Sequence, residues 1–158
     1  MNPRVEFLYK QLKLHNSLFA NVLKDADDIS KVRSGDSNHA AWLAGHLVSA
    51  RYFIANLIGL EDKEPHADLF GNGKAIDESL AYPSLSESLT QFREISEKLA
   101  EAFPNVSDEQ LSAEAPFNTP MGNTIGDFVA FLVEHEAYHI GQIGLIRRIN
   151  KLDAMSYA

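Results

Sequence analysis

The sequence predicts an all-α protein, a four-helix bundle in up-down-down-up order with a long crossover between its second and third helices. Four long stretches carry apolar residues at alternating spacings of three and four, the period of one helix face. Glycines and prolines separate these stretches, and no segment alternates between apolar and polar residues over the length of a strand. With 158 residues the chain is expected to form one domain, residues 1–158.

The first two predicted helices each present one apolar face to a common core. The second is expected from about Ser37 to Leu60, with Asp36 or Ser37 as its N-cap after the break at Gly35. The first face consists of Val5, Leu8, Leu12, His15, Phe19 and Val22, and the second of His39, Leu43, His46, Ala50, Phe53, Leu57 and Leu60.

The last two predicted helices begin at recognisable caps. The third is expected over residues 84–103, where Ser84 and Glu87 have the form of a capping box. The fourth is expected over residues 124–151, where Thr124 begins a weaker variant of the same motif. Their apolar faces consist of Leu85, Leu89, Phe92, Leu99 and Phe103, and of Ile125, Phe128, Leu132, His135, His139, Gln142, Ile146 and Ile149.

The lengths of the connections predict the helix order. The segment around residues 25–36 is short enough to join antiparallel neighbours. The segment 61–83, at roughly twenty residues, can run the length of a bundle, although a long functional loop would have the same spacing.

Composition and charge exclude several classes of protein. The absence of cysteine excludes disulfide scaffolds and thiolate-bound zinc. A net charge of −8 without a basic stripe argues against nucleic-acid partners. No apolar run approaches the ~20 residues of a membrane span, and residues 1–6 lack the apolar core of a signal peptide. We therefore expect a cytoplasmic protein with no membrane partner.

Three histidines are the strongest chemical signal. His135 and His139 are one helical turn apart, on the face that also carries Leu132, so their rings should point inward together. His46 faces inward from the second helix and can reach the depth of that pair whichever way the two helices run. His39 lies about 10 Å further along the same face, too far to share an ion with His46. A single inward histidine is more often a core residue, but three at one depth predict a metal site.

Residues 135–139 also spell H-E-x-x-H, the zincin motif in which the glutamate is the general base. A metzincin would place a glycine and a third histidine downstream, where Gln142 and Leu145 stand. A gluzincin would need a later glutamate, and no glutamate follows Glu136. The third ligand must therefore come from elsewhere, and His46 is the best candidate.

Several motifs together resemble one family. Residues 38–47 contain W-x-x-G-H-L, and residues 135–143 contain H-x-x-x-H-x-G-Q. Shorter motifs at residues 69–71, 82–84 and 147–148 occur in the same order as in that family. The chain resembles the DinB-like superfamily over nearly its whole length.

The resemblance implies an up-down-down-up bundle with a three-histidine site for nickel, zinc or another divalent ion. Carried over by position, the ligands are His46, His135 and His139. Relatives are known as metal-dependent hydrolases, and some branches transfer low-molecular-weight thiols such as bacillithiol or mycothiol. The partners implied are a small-molecule substrate, which could be such a thiol, and a second copy in a homodimer.

Four further residues are candidates around the ion. Glu136 is a candidate proton acceptor or orienting group, with a solvated or interhelical salt bridge as its alternative. Gln142 is placed to hydrogen-bond a ligand, or to join two helices as a buried amide. Trp42 and His15 are candidates for the pocket wall, with packing roles as their alternatives.

Two classes of function stay open from the sequence. The first is an enzyme that uses the ion for hydrolysis or thiol transfer on a small molecule, because three neutral imidazoles leave open coordination positions. The second is a non-catalytic metal- or ligand-binding module, in which the ion mainly stabilises the fold.

Overall fold

The computed structural model describes residues 3–157 and is mostly helical, as the sequence predicts. Short 3-10 turns follow α1, α3 and α4. No helix in the described part of the chain is long and apolar enough to cross a membrane. The elements are α1 (Pro3–Leu23), α2 (Ala40–Leu57), α3 (Ala67–Phe70), α4 (Leu85–Ala102), α5 (Asp108–Ser112), β1 (Glu114–Thr119), β2 (Gly122–Thr124) and α6 (Ile125–Ile149).

The four long helices α1, α2, α4 and α6 enclose the core. Helix α2 packs on α4 and α6, and α1 packs on the same two helices from the other side. Aromatic contacts mark these interfaces: Phe19 of α1 lies against Phe92 of α4, and Phe53 of α2 lies against Phe128 of α6. Every residue of the predicted α1 face is buried, since each falls on the side of the helix that meets both neighbours.

Helix α2 begins later than predicted, and neither Asp36 nor Ser37 is its N-cap. The cap is His39, whose Nδ1 accepts a hydrogen bond from the backbone N–H of Trp42. Ser37 is engaged elsewhere, because its hydroxyl accepts the N–H of Ser34 within the preceding turn. His39 is therefore a capping residue, outside the helix on whose inner face the sequence placed it.

The starts of α4 and α6 lie where the sequence predicts them. The Ser84 hydroxyl accepts the backbone N–H of Glu87. At α6 the capping box is complete, because Thr124 accepts the N–H of Asp127 while the Asp127 carboxylate accepts the N–H of Thr124. Both caps satisfy backbone donors that have no partner within the helix.

The structure corrects the prediction that the chain has no strands. Strands β1 and β2 form a small antiparallel hairpin directly before α6, with an irregular register. Along β1 Ala115 is the one fully buried residue, so the apolar alternation that marks a half-buried strand is missing from the sequence. Phe117 at the middle of this strand is exposed.

Candidate metal centre

The structure brings His46, His135 and His139 together at the middle of the bundle. One ring nitrogen from each lies within 4.8 Å of the other two. The Nε2 atoms of His46 and His135 are 2.8 Å apart. The ring centroids of His135 and His139 are 4.3 Å apart, as expected for side chains one turn apart on one helix face.

Aromatic side chains hold two of these rings in place. The indole of Trp42, one turn before His46 on α2, stacks on the His46 ring at a centroid distance of 4.7 Å. Phe131, one turn before His135 on α6, stacks on that ring at 6.1 Å. Each ring is therefore supported from within its own helix, and the contact of Trp42 is with the ring of His46.

A hydrogen bond fixes which nitrogen of His139 faces the cluster. Its Nδ1–H donates to the side-chain oxygen of Gln142 at 2.6 Å, which leaves the lone pair of Nε2 free. The amide nitrogen of Gln142 donates in turn to the hydroxyl of Tyr138 at 3.2 Å. Gln142 thus bonds directly to a candidate ligand, and the exposed Tyr138 orients that amide from outside.

The electrostatics keep all three imidazoles neutral near pH 7. Burial, followed by the proximity of His135 and His139, lowers the pKa of His46 to about 3. Burial, followed by the charge of His139, lowers the pKa of His135 to about 4. Burial also lowers the pKa of His139. A neutral imidazole is the form that binds a metal ion.

The donor set fits a divalent metal ion. Two nitrogens at 2.0–2.1 Å from a tetrahedral ion stand roughly 3.3 Å apart. The Nε2 atoms of His46 and His135 are 2.8 Å apart, and the three donors lie within 4.8 Å of one another. Small rotations of the side chains would bring the three donors onto one ion. Imidazole suits zinc, nickel, copper and iron, so the donors do not select one metal.

A cavity of ≈ 710 Å³ opens beside the cluster. His46 and His135 form part of its wall, so an ion held there would face the cavity. Most of the remaining wall is apolar, which suits the carbon skeleton of a small molecule. The lining residues are His46, Ser49, Ala50, Phe53, Glu64, Ala67, Phe70, Gly71, Gly73, Phe117, Leu132 and His135.

Comparison with known families agrees with this geometry. The family model of the DinB superfamily matches residues 11–143. The chain belongs to the DinB superfamily. The resemblance inferred from the sequence is thereby confirmed, and all three histidines of the cluster lie within the matched segment. No curated protein was found to match the chain.

Within this DinB superfamily chain, Glu136 lies behind the cluster in a buried ion pair. Its carboxylate accepts hydrogen bonds from Nε and Nη2 of Arg51 and from Nδ1 of His15, the last two both at 2.9 Å. The sequence left two roles open for Glu136, a proton acceptor or orienting group and a salt bridge. The structure shows a salt bridge between helices. His15 contacts the back of the helix that carries two of the candidate ligands, and it does not line the cavity.

The Glu136 carboxylate stays ionised in this setting. Burial alone would raise its pKa, but the Arg51 guanidinium and the hydrogen bonds from His15 and Arg51 outweigh burial and lower it. Arg51 also donates to Asn16, to Ser96 and to the carbonyl of Leu12. The two opposite charges therefore neutralise each other, and hydrogen bonds satisfy the remaining donors of Arg51, as a buried ion pair requires.

Two residues of the site were missed from the sequence, Arg51 and Glu64. Arg51 carried a signal in the sequence, because it is the only Lys, Arg, Asp or Glu in α2, a helix of mostly apolar residues. A charge in that position needs a buried partner. Glu64 lies in the long crossover, where no periodicity indicates which side chains turn inward.

Proposed function

We propose that the protein is a divalent-metal-dependent enzyme that activates a water molecule or a low-molecular-weight thiol against a small molecule in the adjacent cavity. The observation that carries the proposal is the convergence of three neutral imidazoles at the wall of a largely apolar cavity. His46, His135 and His139 would hold the ion, with zinc or nickel as the expected metals. The reaction is hydrolysis in one case and thiol transfer in the other.

The chemistry divides between the ion and the chain. A bound ion would lower the pKa of a water or thiol at its open positions, which makes the nucleophile available near neutral pH. Gln142 keeps Nδ1 of His139 protonated, so Nε2 is free to bind. Phe53, Phe70 and Leu132 line the cavity, where they would pack against the substrate and exclude bulk water.

Glu136 has a structural role in this proposal. The groups around its carboxylate are Arg51 and His15, and proton transfer to it would break a buried ion pair. The catalytic role considered for Glu136 from the sequence is therefore the less favoured alternative, and its charge holds α6 against α2.

Metal content tests the site itself. Protein produced in medium supplemented with zinc or nickel should carry about one ion per chain by elemental analysis, since three donors hold a single ion. His46→Ala and His135→Ala should each lose most of the metal. His66→Ala is the matched control, because it removes an imidazole of the crossover outside the cluster and should keep the metal. Equal, near-zero content in all four proteins would refute the site.

Turnover tests the enzyme. Metal-loaded protein is incubated with 1-chloro-2,4-dinitrobenzene and N-acetylcysteine, or with 4-nitrophenyl acetate alone, and product is followed by absorbance. Thiol consumption that requires both protein and metal supports transfer, and metal-dependent release of nitrophenolate supports hydrolysis. A protein that binds metal but turns over none of these probes, nor a wider panel of thiols, esters and amides, would instead be the non-catalytic metal-binding module.

We also propose that the four long helices α1, α2, α4 and α6 follow the up-down-down-up order. Contacts between α1 and α4 run in opposite senses, since Tyr9 meets Phe103 while Phe19 meets Phe92. Those between α2 and α6 also run in opposite senses, as Phe53 meets Phe128 while His46 meets His135. These pairings support antiparallel packing of α1 with α4 and of α2 with α6, and the crossover between α2 and α4 is long enough for the rest of the order.

A further inference from the structure

One charged side chain lies in the wall of the cavity beside the cluster of neutral histidines. It belongs to Glu64, in the crossover between α2 and α3. Its Oε1 atom is shielded from solvent and accepts no hydrogen bond from the side chains and backbone that the structure describes. An enclosed carboxylate oxygen without a donor is costly and calls for an explanation.

The Glu64 side chain lies in the wall of the same cavity that two of the candidate ligands line. Its neighbours in the wall include the two ligand candidates His46 and His135 together with apolar side chains such as Phe53 and Ala67. The group of converging ligand atoms consists of the three imidazoles, and Glu64 is outside it. The carboxylate thus shares the cavity with the ligands without belonging to the ligand set. A molecule bound in the cavity would contact a wall that contains both Glu64 and the candidate ligands His46 and His135.

Glu64 is also better placed than Glu136 to take up a proton. The Glu136 carboxylate accepts three hydrogen bonds and is neutralised by Arg51. Glu64 has an oxygen that no donor in the described residues engages. A general base needs a free lone pair, and of the two glutamates Glu64 has one, on a side chain that lines the cavity.

We infer that Glu64 is the general base of the site and that its carboxylate faces the open coordination positions of the ion. The inference rests on the proposed function. The S–H or O–H bond of the nucleophile breaks, its proton passes to the Glu64 carboxylate, and the electron pair forms the new bond to the electrophilic carbon. The leaving group departs with its own bonding pair, as chloride or nitrophenolate from the probes above, and the proton on Glu64 then passes to solvent water, so charge and atoms balance.

The test compares Glu64→Gln with wild type, with Glu64→Asp, and with Glu61→Gln as a matched control. Glu61 is exposed and lies outside the cavity wall in the same crossover, so its substitution removes one charge without touching the site. Each protein is loaded with cobalt(II), and azide binding is followed by visible absorption. Turnover is measured with zinc-loaded protein and the thiol and ester probes named above, and circular dichroism checks the fold.

We expect Glu64→Gln to keep about one metal ion per chain and to bind azide at least threefold more tightly, because an anion facing the ion repels azide. Its turnover should fall about 10²–10⁴-fold, the range typical of a general base. Glu64→Asp keeps the charge, so it should match wild type in azide affinity and recover part of the turnover. Glu61→Gln should match wild type in both measurements.

Two results would overturn the inference. Unchanged azide affinity in Glu64→Gln would mean that the carboxylate does not face the ion. Wild-type turnover in Glu64→Gln would mean that it is not the base. Failure of the proposed function has a different signature, because wild type itself would then show no turnover with any probe, and the role of Glu64 in proton transfer would fall with it.

Discussion

Arg51 and Glu136 form a bidentate ion pair between α2 and α6, with side chains 1% and 0% exposed. Glu136 directly follows His135, and Arg51 lies just over one turn after His46. The pair therefore joins the two helices that supply the candidate ligands, immediately behind the cluster. His15 adds a third charged or polar group from α1, so three of the long helices meet at one buried carboxylate.

Replacing Glu136 by glutamine should destabilise the fold strongly. The change leaves the Arg51 guanidinium buried without its counter-charge, and breaking a buried pair in this way typically costs about 3–5 kcal/mol. We expect a loss of that size in the free energy of unfolding, measured by urea denaturation of the metal-free protein.

Two comparisons make this prediction specific. Lys10→Ala removes a partner of the exposed Lys10–Glu6 pair and should leave stability unchanged within error. The double variant Arg51→Met, Glu136→Leu should lose less than Glu136→Gln alone, because it removes both charges together. A Glu136→Gln protein as stable as wild type would contradict the role assigned to the pair.

The sequence sufficed to predict that the three histidines converge, because helical periodicity fixes the direction of side chains. His135 and His139 share the face of Leu132, and His46 shares the face of Leu43, so all three were expected to point inward. Long amphipathic segments make such predictions dependable, since burial of the apolar face dictates the orientation of every other residue on it.

What the sequence could not predict depends on tertiary contacts or on irregular backbone. The partner of Arg51 is far away in sequence, and no local pattern connects the two. His39 continues the apolar face of α2, so nothing in the periodicity showed that it would cap the helix instead. Glu64 and Phe117 reach the cavity from a crossover and a hairpin, where side-chain direction follows from backbone turns that have no simple period.

Gln142 should tune metal affinity without affecting the fold. Its side-chain oxygen accepts the Nδ1–H of His139, and loss of such an outer hydrogen bond typically weakens metal binding 10–100-fold. We expect Gln142→Leu to show a loss of about that size in competition titrations with a chelator. Tyr138→Phe is the control, because its hydroxyl contacts Gln142 and not the histidine, and it should change affinity far less. Unchanged affinity in Gln142→Leu would contradict the assignment.

Gly45 allows Phe70 to close over α2 beside the site. A Cβ atom at Gly45 would lie 2.3 Å from Cζ of Phe70, whose ring is 3% exposed and has little room to move. Gly45→Ala should therefore lower the free energy of unfolding by about 1–3 kcal/mol, as overpacking does. At Gly141 in α6 no described atom lies within 4 Å of the added Cβ. Gly141→Ala should raise stability by up to about 1 kcal/mol through helix propensity. An equal increase in the free energy of unfolding for Gly45→Ala and Gly141→Ala would show that the Phe70 ring can move aside without cost, and would contradict the prediction.

Metal binding should stabilise the fold in a way that depends on the cluster. An ion that binds the native state and not the unfolded chain adds about 2.7 kcal/mol at a free concentration of 100 times Kd. For a protein of this size that corresponds to a rise in Tm of roughly 5–10 °C. Scanning calorimetry with zinc and with a chelator should show this rise in wild type and in His66→Ala. In His135→Ala the two scans should coincide, because two remaining imidazoles hold an ion far more weakly. A zinc-dependent rise of equal size in His135→Ala would place the ion elsewhere in the molecule.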